Sequence, residues 1–340
     1  LMVTISLRFL KLENNTDTKS IRSVLILLDL LLDGTESNFK EIVVMSLQMS
    51  SRYTSDGGKD SELIAVSLLD IVSKVLRLSH DNGIKLDIFD DNSTHLKYID
   101  FLVTSLSSMN TPLIVSSYVK ILTESMAYFG ESIFHVLLPL TASIVQCLAR
   151  LFQLEKEEGG YYKPISLLFE GLENLLEVAH NHLYSNERGG GNTGNGSQRN
   201  DFLQSVVSNV FYSENPEDSV RSQGERDVVL QSFKQITNCC TEVWFWAHNV
   251  SINKELAKKY HSAYKFKFRT KKLLEKMFFL EPLETLENLV MLNEHDVITL
   301  VHVLDGNKPS LTMPYLLFGV ILRYDRHSVI KFSFATNRSS

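Results

Sequence analysis

The sequence predicts an all-α fold, a stack of helical hairpins of the degenerate HEAT or armadillo type, and three observations lead to it. Apolar residues recur at helical spacing along almost the whole chain, as in Leu63, Val66, Leu69, Ile71, Val72, Val75 and Leu76, and strict alternation over a strand length is rare. Short polar turns separate the periodic stretches, at Asp33-Gly34, Asp56-Gly57-Gly58, Asp81-Asn82-Gly83, Gly159-Gly160 and Asn215-Pro216. The result is about thirteen helices, too many for one closed bundle. No motif recurs at a fixed period, which disfavours tetratricopeptide or ankyrin units.

Taken in order, helices are expected over 20–33, 37–52, 61–79, 95–108, 112–129, 132–154, 162–185, 200–212, 226–248, 253–280, 282–292, 295–304 and 311–323. In the first, Val24 to Leu32 is apolar but carries Asp29 and falls short of the roughly 20 residues that cross a bilayer, so it reads as a core helix. Phe134 to Phe152 is long enough to span. It contains His135, Gln146, Arg150 and Pro139, however, and also reads as a buried helix. Asn186 to Asn200 holds five glycines and no apolar side chain, the composition of a flexible loop. A phosphate-cradling loop would need a preceding strand and a Gly-Lys-Ser/Thr ending, and both are missing. Ser213 to Arg226 is polar throughout most of its length and is expected to be surface loop. The organisation is therefore a helical part over 1–185, a loop over 186–200, a second helical part over 201–323 and a tail over 324–340 that matches no pattern.

With 44% apolar and 22% charged residues in 340, the chain has the balance of a soluble folded protein rather than of a disordered tail. A net charge of -6 gives no general attraction to phosphate, so nucleic acid is not an expected partner outside a local basic patch. Cys147, Cys239 and Cys240 lack any CxxC spacing, and the last two are adjacent, which fits a reducing, cytosolic compartment. The first residues, Leu1 to Arg8, have neither the basic start nor the cleavage site of a signal peptide, and the chain reads as cut from a longer one.

No stretch gathers the polar groups of a catalytic or cofactor site. His180 and His182 form an HxH pair, but on a helix their imidazoles point to different faces. Asp87, Asp90 and Asp91 lack the glycine and terminal glutamate of a calcium loop. Neither G-x-S-x-G nor a Cys-His signature occurs. No enzyme activity, metal or cofactor is expected.

One region differs. Lys254 to Lys276 carries nine cations against Glu255 and Glu275, interleaved with Tyr260, Tyr264, Phe266 and Phe268. Lys258, Lys259, Lys265, Lys267, Arg269, Lys271 and Lys272 are the candidate contacts to an anionic membrane surface or an acidic partner. The plainer reading is a packed helix with its aromatic residues in the core and its lysines solvated. Trp244 and Trp246 are candidate interface aromatics, with packing between helices as the alternative.

Several stretches carry a resemblance: Ser117 to Phe129, Ile133 to Leu140, Leu167 to Leu176, Phe202 to Phe211, Val243-Trp244-Phe245-Trp246 and Leu300 to Pro309. In their order and spacing they resemble an internal helical region of the Dopey family, large peripheral proteins of the Golgi and endosomes, over about residues 60–320. The resemblance implies a non-enzymatic role in endosome-to-Golgi vesicle traffic and protein transport. It implies as partners a large armadillo-type Golgi scaffold and an aminophospholipid flippase, and a cytoplasmic location, peripheral on Golgi, trans-Golgi network and endosome membranes. A peripheral membrane-binding module, or a motor or cargo adaptor, is the alternative. The family offers no catalytic residue to carry over.

Overall fold

The structure, a computed structural model, describes residues 2–12, 17–34, 38–55, 58–90, 92–108, 111–188 and 216–291. Their regular structure is helical, with no strand among the described residues. In chain order the helices are α1 (Met2–Leu10), α2 (Thr18–Leu31), α3 (Phe39–Ser55), α4 (Lys59–Asp81), α5 (Asp87–Asp90), α6 (Asn92–Ser108) and α7 (Pro112–Phe129). A 3-10 turn at Gly130–Ser132 leads into α8 (Ile133–Glu157) and α9 (Tyr162–Arg188). The remainder are α10 (Pro216–Ile252), α11 (Lys254–Lys259), α12 (Ala263–Leu280) and α13 (Pro282–Val290). The chain divides into two compact units, Leu1–Leu151 with Glu170–Gln231, and Phe152–Phe169 with Ser232–Ser340.

In the first unit α4 packs against α2, α3 and α7. A helix with three neighbours needs an apolar stripe wider than one face. Its sequence supplies one: Ile64, Ala65, Leu68, Leu69, Val72, Val75 and Leu76 are all fully buried. Leu63, part of the same apolar run, faces outward and is 39% exposed. Helix α7 starts with Pro112 at its first turn, where a missing N–H costs nothing, and stops at Gly130. The backbone there has φ +48° and ψ −134°, a region that L side chains rarely adopt. Two tyrosines lock this layer. The Tyr98 hydroxyl is hydrogen-bonded to Ser125 Oγ, and the Tyr128 hydroxyl donates to the Leu76 carbonyl at 2.7 Å.

The stretch Pro112–Glu157 is apolar enough to cross a membrane by length and composition, yet 56% of its most apolar window is buried within the protein. Leu137, Leu140, Ile144 and Leu148 are all fully inside, so α8 has a core to pack on. Pro139 sits within α8 without ending it, at the loss of one backbone hydrogen bond.

In the second unit the core is formed by Phe152, Ile165, Phe169, Phe233, Val243, Trp244, Phe266, Leu273 and Met277, each no more than 2% exposed. The Cys240 thiol donates to the Thr270 carbonyl at 3.3 Å, joining α10 to α12, and α12 packs on α13. Glu155 is the polar hub. Only 2% exposed, it accepts hydrogen bonds from the Tyr161 backbone N–H and from the Ser262 hydroxyl.

Four expectations differ from the structure. Residues 216–226, read as loop, are the first turns of α10. Pro216 followed by Glu217 and Asp218 is start chemistry, with a fixed φ and acids at the positive end of the helix dipole, so the polar run is a helix entry. The single helix expected over 253–280 is two. Asn253 caps α11, its side-chain oxygen accepting from the N–H groups of Glu255 and Leu256 at 3.0 and 3.3 Å. The chain then turns at Tyr260, whose hydroxyl donates to the Lys156 carbonyl at 2.9 Å. That bond and the one from Ser262 to Glu155 tether the turn to the end of α8, and tertiary anchoring overrides local helix preference. Helix α1 and the four-residue α5, which fall outside the expected helices, are the other two differences. The helices expected over 200–212, 295–304 and 311–323, most of the 186–200 loop, and the tail lie outside the described residues.

Candidate functional site

Helix α12 is the element that organises the basic region. With 3.6 residues per turn, Ala263, Phe266, Thr270, Leu273, Leu274 and Met277 fall on one face, and all are at most 2% exposed. Arg269 lies on the same side and is 9% exposed. It therefore belongs to the packed face rather than to the outward-facing cations. Phe266 is the centre of the packing, with edge contacts to Phe152, Tyr162 and Trp246 at centroid separations of 6.1, 5.0 and 6.0 Å.

The opposite face is unusual in what it exposes. Tyr264, Phe268 and Phe279 are 74%, 66% and 82% exposed, values expected of lysine rather than of aromatic rings. The sequence places Tyr264 and Phe268 among the interleaved aromatics without marking them as contacts, and it leaves Phe279 outside the basic stretch. The signal was present in the sequence as a second stripe, 264, 268, 275 and 279, four, seven and four residues apart.

The remaining cations surround that stripe. Lys258 and Lys259 are exposed on α11, which has no buried residue, and Lys259 lies over the Tyr260 ring at 4.9 Å. Lys265 is exposed, with its ammonium 5.5 Å from the Tyr162 ring centroid. Lys272 is exposed. Lys271 is half-buried and reaches Glu275 at 3.9 Å, a contact across one helical turn. Lys267 is half-buried, and its charge, second to burial, helps hold the His248 imidazole below its usual range.

Neither tryptophan forms an outward anchor. Trp244 is 1% exposed and stacks on His248 with ring centroids 5.0 Å apart, so it is a core residue. Trp246 is half-buried among Phe152 and Tyr260 at 5.2 and 5.5 Å as well as Phe266, within one unit. Indoles supply large apolar area: Trp246 uses it to join α10 to α8 and α12, and Trp244 to fill the core.

His180 and His182 are half-buried on α9, with the His180 ring 4.5 Å from that of Tyr184. Among the described residues no group of three or more His, Cys, Asp or Glu side chains is gathered as for a metal ion. The side chains of Asp87, Asp90 and Asp91 lie outside the described set. Burial pushes the Cys239 thiol up to about 12 and that of Cys240 well above its usual range, the opposite of what a nucleophile needs. A groove of about 690 Å³ in the first unit is lined by Leu10, Ile21, Val44, Met45, Met49 and Tyr53 among others, with Lys11, Glu41 and Arg52 at hand.

These features define a helical protein whose most distinctive exposed surface, among the described residues, is basic and aromatic. Protein DOP1 of Saccharomyces cerevisiae is 61% identical over 338 residues, 98% of this chain. Protein dop1 of Emericella nidulans is 27% identical over 253 residues, 67% of it. The chain belongs to the Dopey family, as the stretches from Ser117 to Pro309 led one to expect. It spans 20% of the length of the first relative and 13% of the second. No protein-family model matches it, and no solved structure does.

Proposed function

We propose that the chain is a non-enzymatic scaffold segment acting in vesicle traffic and protein transport between endosomes and the Golgi, as part of a complex with a large armadillo-type scaffold and an aminophospholipid flippase. Its place is the cytoplasmic side of Golgi, trans-Golgi network and endosome membranes. The single observation that carries the reading is the 61% identity to Protein DOP1 along 98% of the chain. Identity at that level along nearly the whole chain supports a role shared with that relative.

A degenerate HEAT or armadillo-like solenoid of helical hairpins is the arrangement that goes with this role. Support comes from pairing between helices close in sequence, α1 with α2, α2 with α4, α3 with α4 and α6 with α7, as stacked hairpins require. Such a stack offers extended surface to several partners at once. The test is removal of residues 60–320 from the protein in its own cells, read by recycling of an endosomal cargo and by pull-down of the scaffold and the flippase. Loss of cargo recycling together with loss of one or both partners is expected. Normal recycling with normal pull-down overturns the proposal.

A further inference from the structure

We infer that the outward face of α12 is a docking surface for an anionic phospholipid bilayer, with Tyr264, Phe268 and Phe279 entering the interface and the lysines around them meeting the headgroups. The inference deepens the scaffold reading and rests on it only for which cellular membrane is met; the lipid contact itself stands on the geometry of the helix.

Three aromatic rings, each at least 66% exposed, on one helix are costly to leave in water, and a protein surface that keeps them is matched to something that covers them. At about 100° per residue they occupy a sector of about 60°, and from Tyr264 to Phe279 they extend about 22 Å along the axis. That is a long, narrow, convex stripe. A folded partner would need a complementary groove, whereas a bilayer interface accepts such a stripe as it stands, with the rings at the headgroup boundary.

Charge decides which bilayer. On the same projection Lys271 lies along one edge of the stripe, and Lys272, Lys265 and Lys276 along the other, with Lys258 and Lys259 just before the helix on exposed α11. Glu275 is the one acid within the stripe and is paired with Lys271. A chain of net charge -6 thus concentrates positive charge around its exposed rings. Lysines at a negatively charged lipid surface each favour binding, and rings flanked by lysines are the arrangement of helices that lie in the interface. The opposite face of α12 remains bound to its own unit through Phe266, Leu273 and Met277, so docking needs no unfolding.

The experiment is co-sedimentation of the full chain with vesicles of phosphatidylcholine alone and of phosphatidylcholine mixed with phosphatidylserine, at low and high salt. Binding to the mixed vesicles, lost at high salt and weak on the neutral ones, is expected. Lys265→Gln with Lys272→Gln weakens partitioning about thirtyfold, and Tyr264→Ser with Phe268→Ser and Phe279→Ser weakens it by more than about tenfold. All five side chains are exposed, so circular dichroism and the thermal midpoint of both variants stay at the wild-type values. A Phe268→Trp variant shifts its emission to the blue on mixed vesicles.

Equal binding to neutral and anionic vesicles, wild-type binding by the aromatic variant, or no emission shift overturns the inference. So does an absence of vesicle binding in which the rings are instead crosslinked to an acidic protein or to another stretch of the protein's own chain. A negative vesicle result with normal dependence of cargo recycling on this segment leaves the scaffold reading standing, and the reverse result leaves the lipid contact standing.

Discussion

Replacement of Glu155 by alanine tests the account of how the second unit is tied together. Glu155 is 2% exposed, and its carboxylate accepts from the Tyr161 N–H at 2.5 Å and from the Ser262 hydroxyl. It thereby fixes the turn between α8 and α9 and the start of α12 to one point. Hydrogen bonds to a charged group contribute about 1.5–3 kcal/mol each, and removing the acceptor leaves two donors behind, so Glu155→Ala is expected to cost about 3–5 kcal/mol. Glu155→Gln keeps the shape. Its amide oxygen can take the Tyr161 N–H while its NH2 donates to the rotated Ser262 hydroxyl, and the loss falls to about 1 kcal/mol. The assay is urea unfolding followed by tryptophan emission, which reports this unit alone because the only two tryptophans, Trp244 and Trp246, lie in it. In the double variant with Ser262→Ala the two losses are expected to be less than additive, since both remove the same bond. A Glu155→Ala protein within about 1 kcal/mol of wild type, or strict additivity in that cycle, would refute the reasoning.

Further expectations concern the register of α12, one turn and the cysteines. Phe266→Ala should cost about 3–5 kcal/mol, because the ring is fully buried against three aromatics, whereas Phe268→Ala, two residues on and 66% exposed, should stay within about 0.5 kcal/mol in the same urea assay. Gly130→Ala should destabilise by about 1–3 kcal/mol, read as a lower thermal midpoint; open space surrounds the position, so the cost is that of φ +48° alone. The three cysteines, all free and buried, should not react with an aromatic disulfide reagent in native buffer and should react in full in urea. Burial is the main cause, raising the Cys147, Cys239 and Cys240 thiols alike, and fast labelling of any one in native buffer would contradict it.

Family membership was legible before any coordinates, because words such as Val243-Trp244-Phe245-Trp246 and Leu300 to Pro309 are specific at the level of side-chain identity. The helical class was legible for a different reason. Helices such as α4 and α7 bury an apolar stripe, and a buried stripe writes a period near 3.6 into the sequence. Helix entry at 216–226 was missed because charged residues in a first turn and in a loop are the same letters.

What the sequence determined by itself was thus the helical class, the family, and the existence of a basic and aromatic stretch between Lys254 and Lys276. Only the tertiary structure decided which residues of that stretch face out. A turn at Tyr260, held by bonds to Lys156 and Glu155 more than a hundred positions earlier in the chain, sets the rotational phase of α12. That phase puts Phe266 and Arg269 inside and leaves Tyr264, Phe268 and Phe279 in water. Hydrophobicity alone ranks the phenylalanines together. The assignment of each to core or surface comes from what lies beside it, and in this unit the neighbours arrive from the distant ends of α8 and α9.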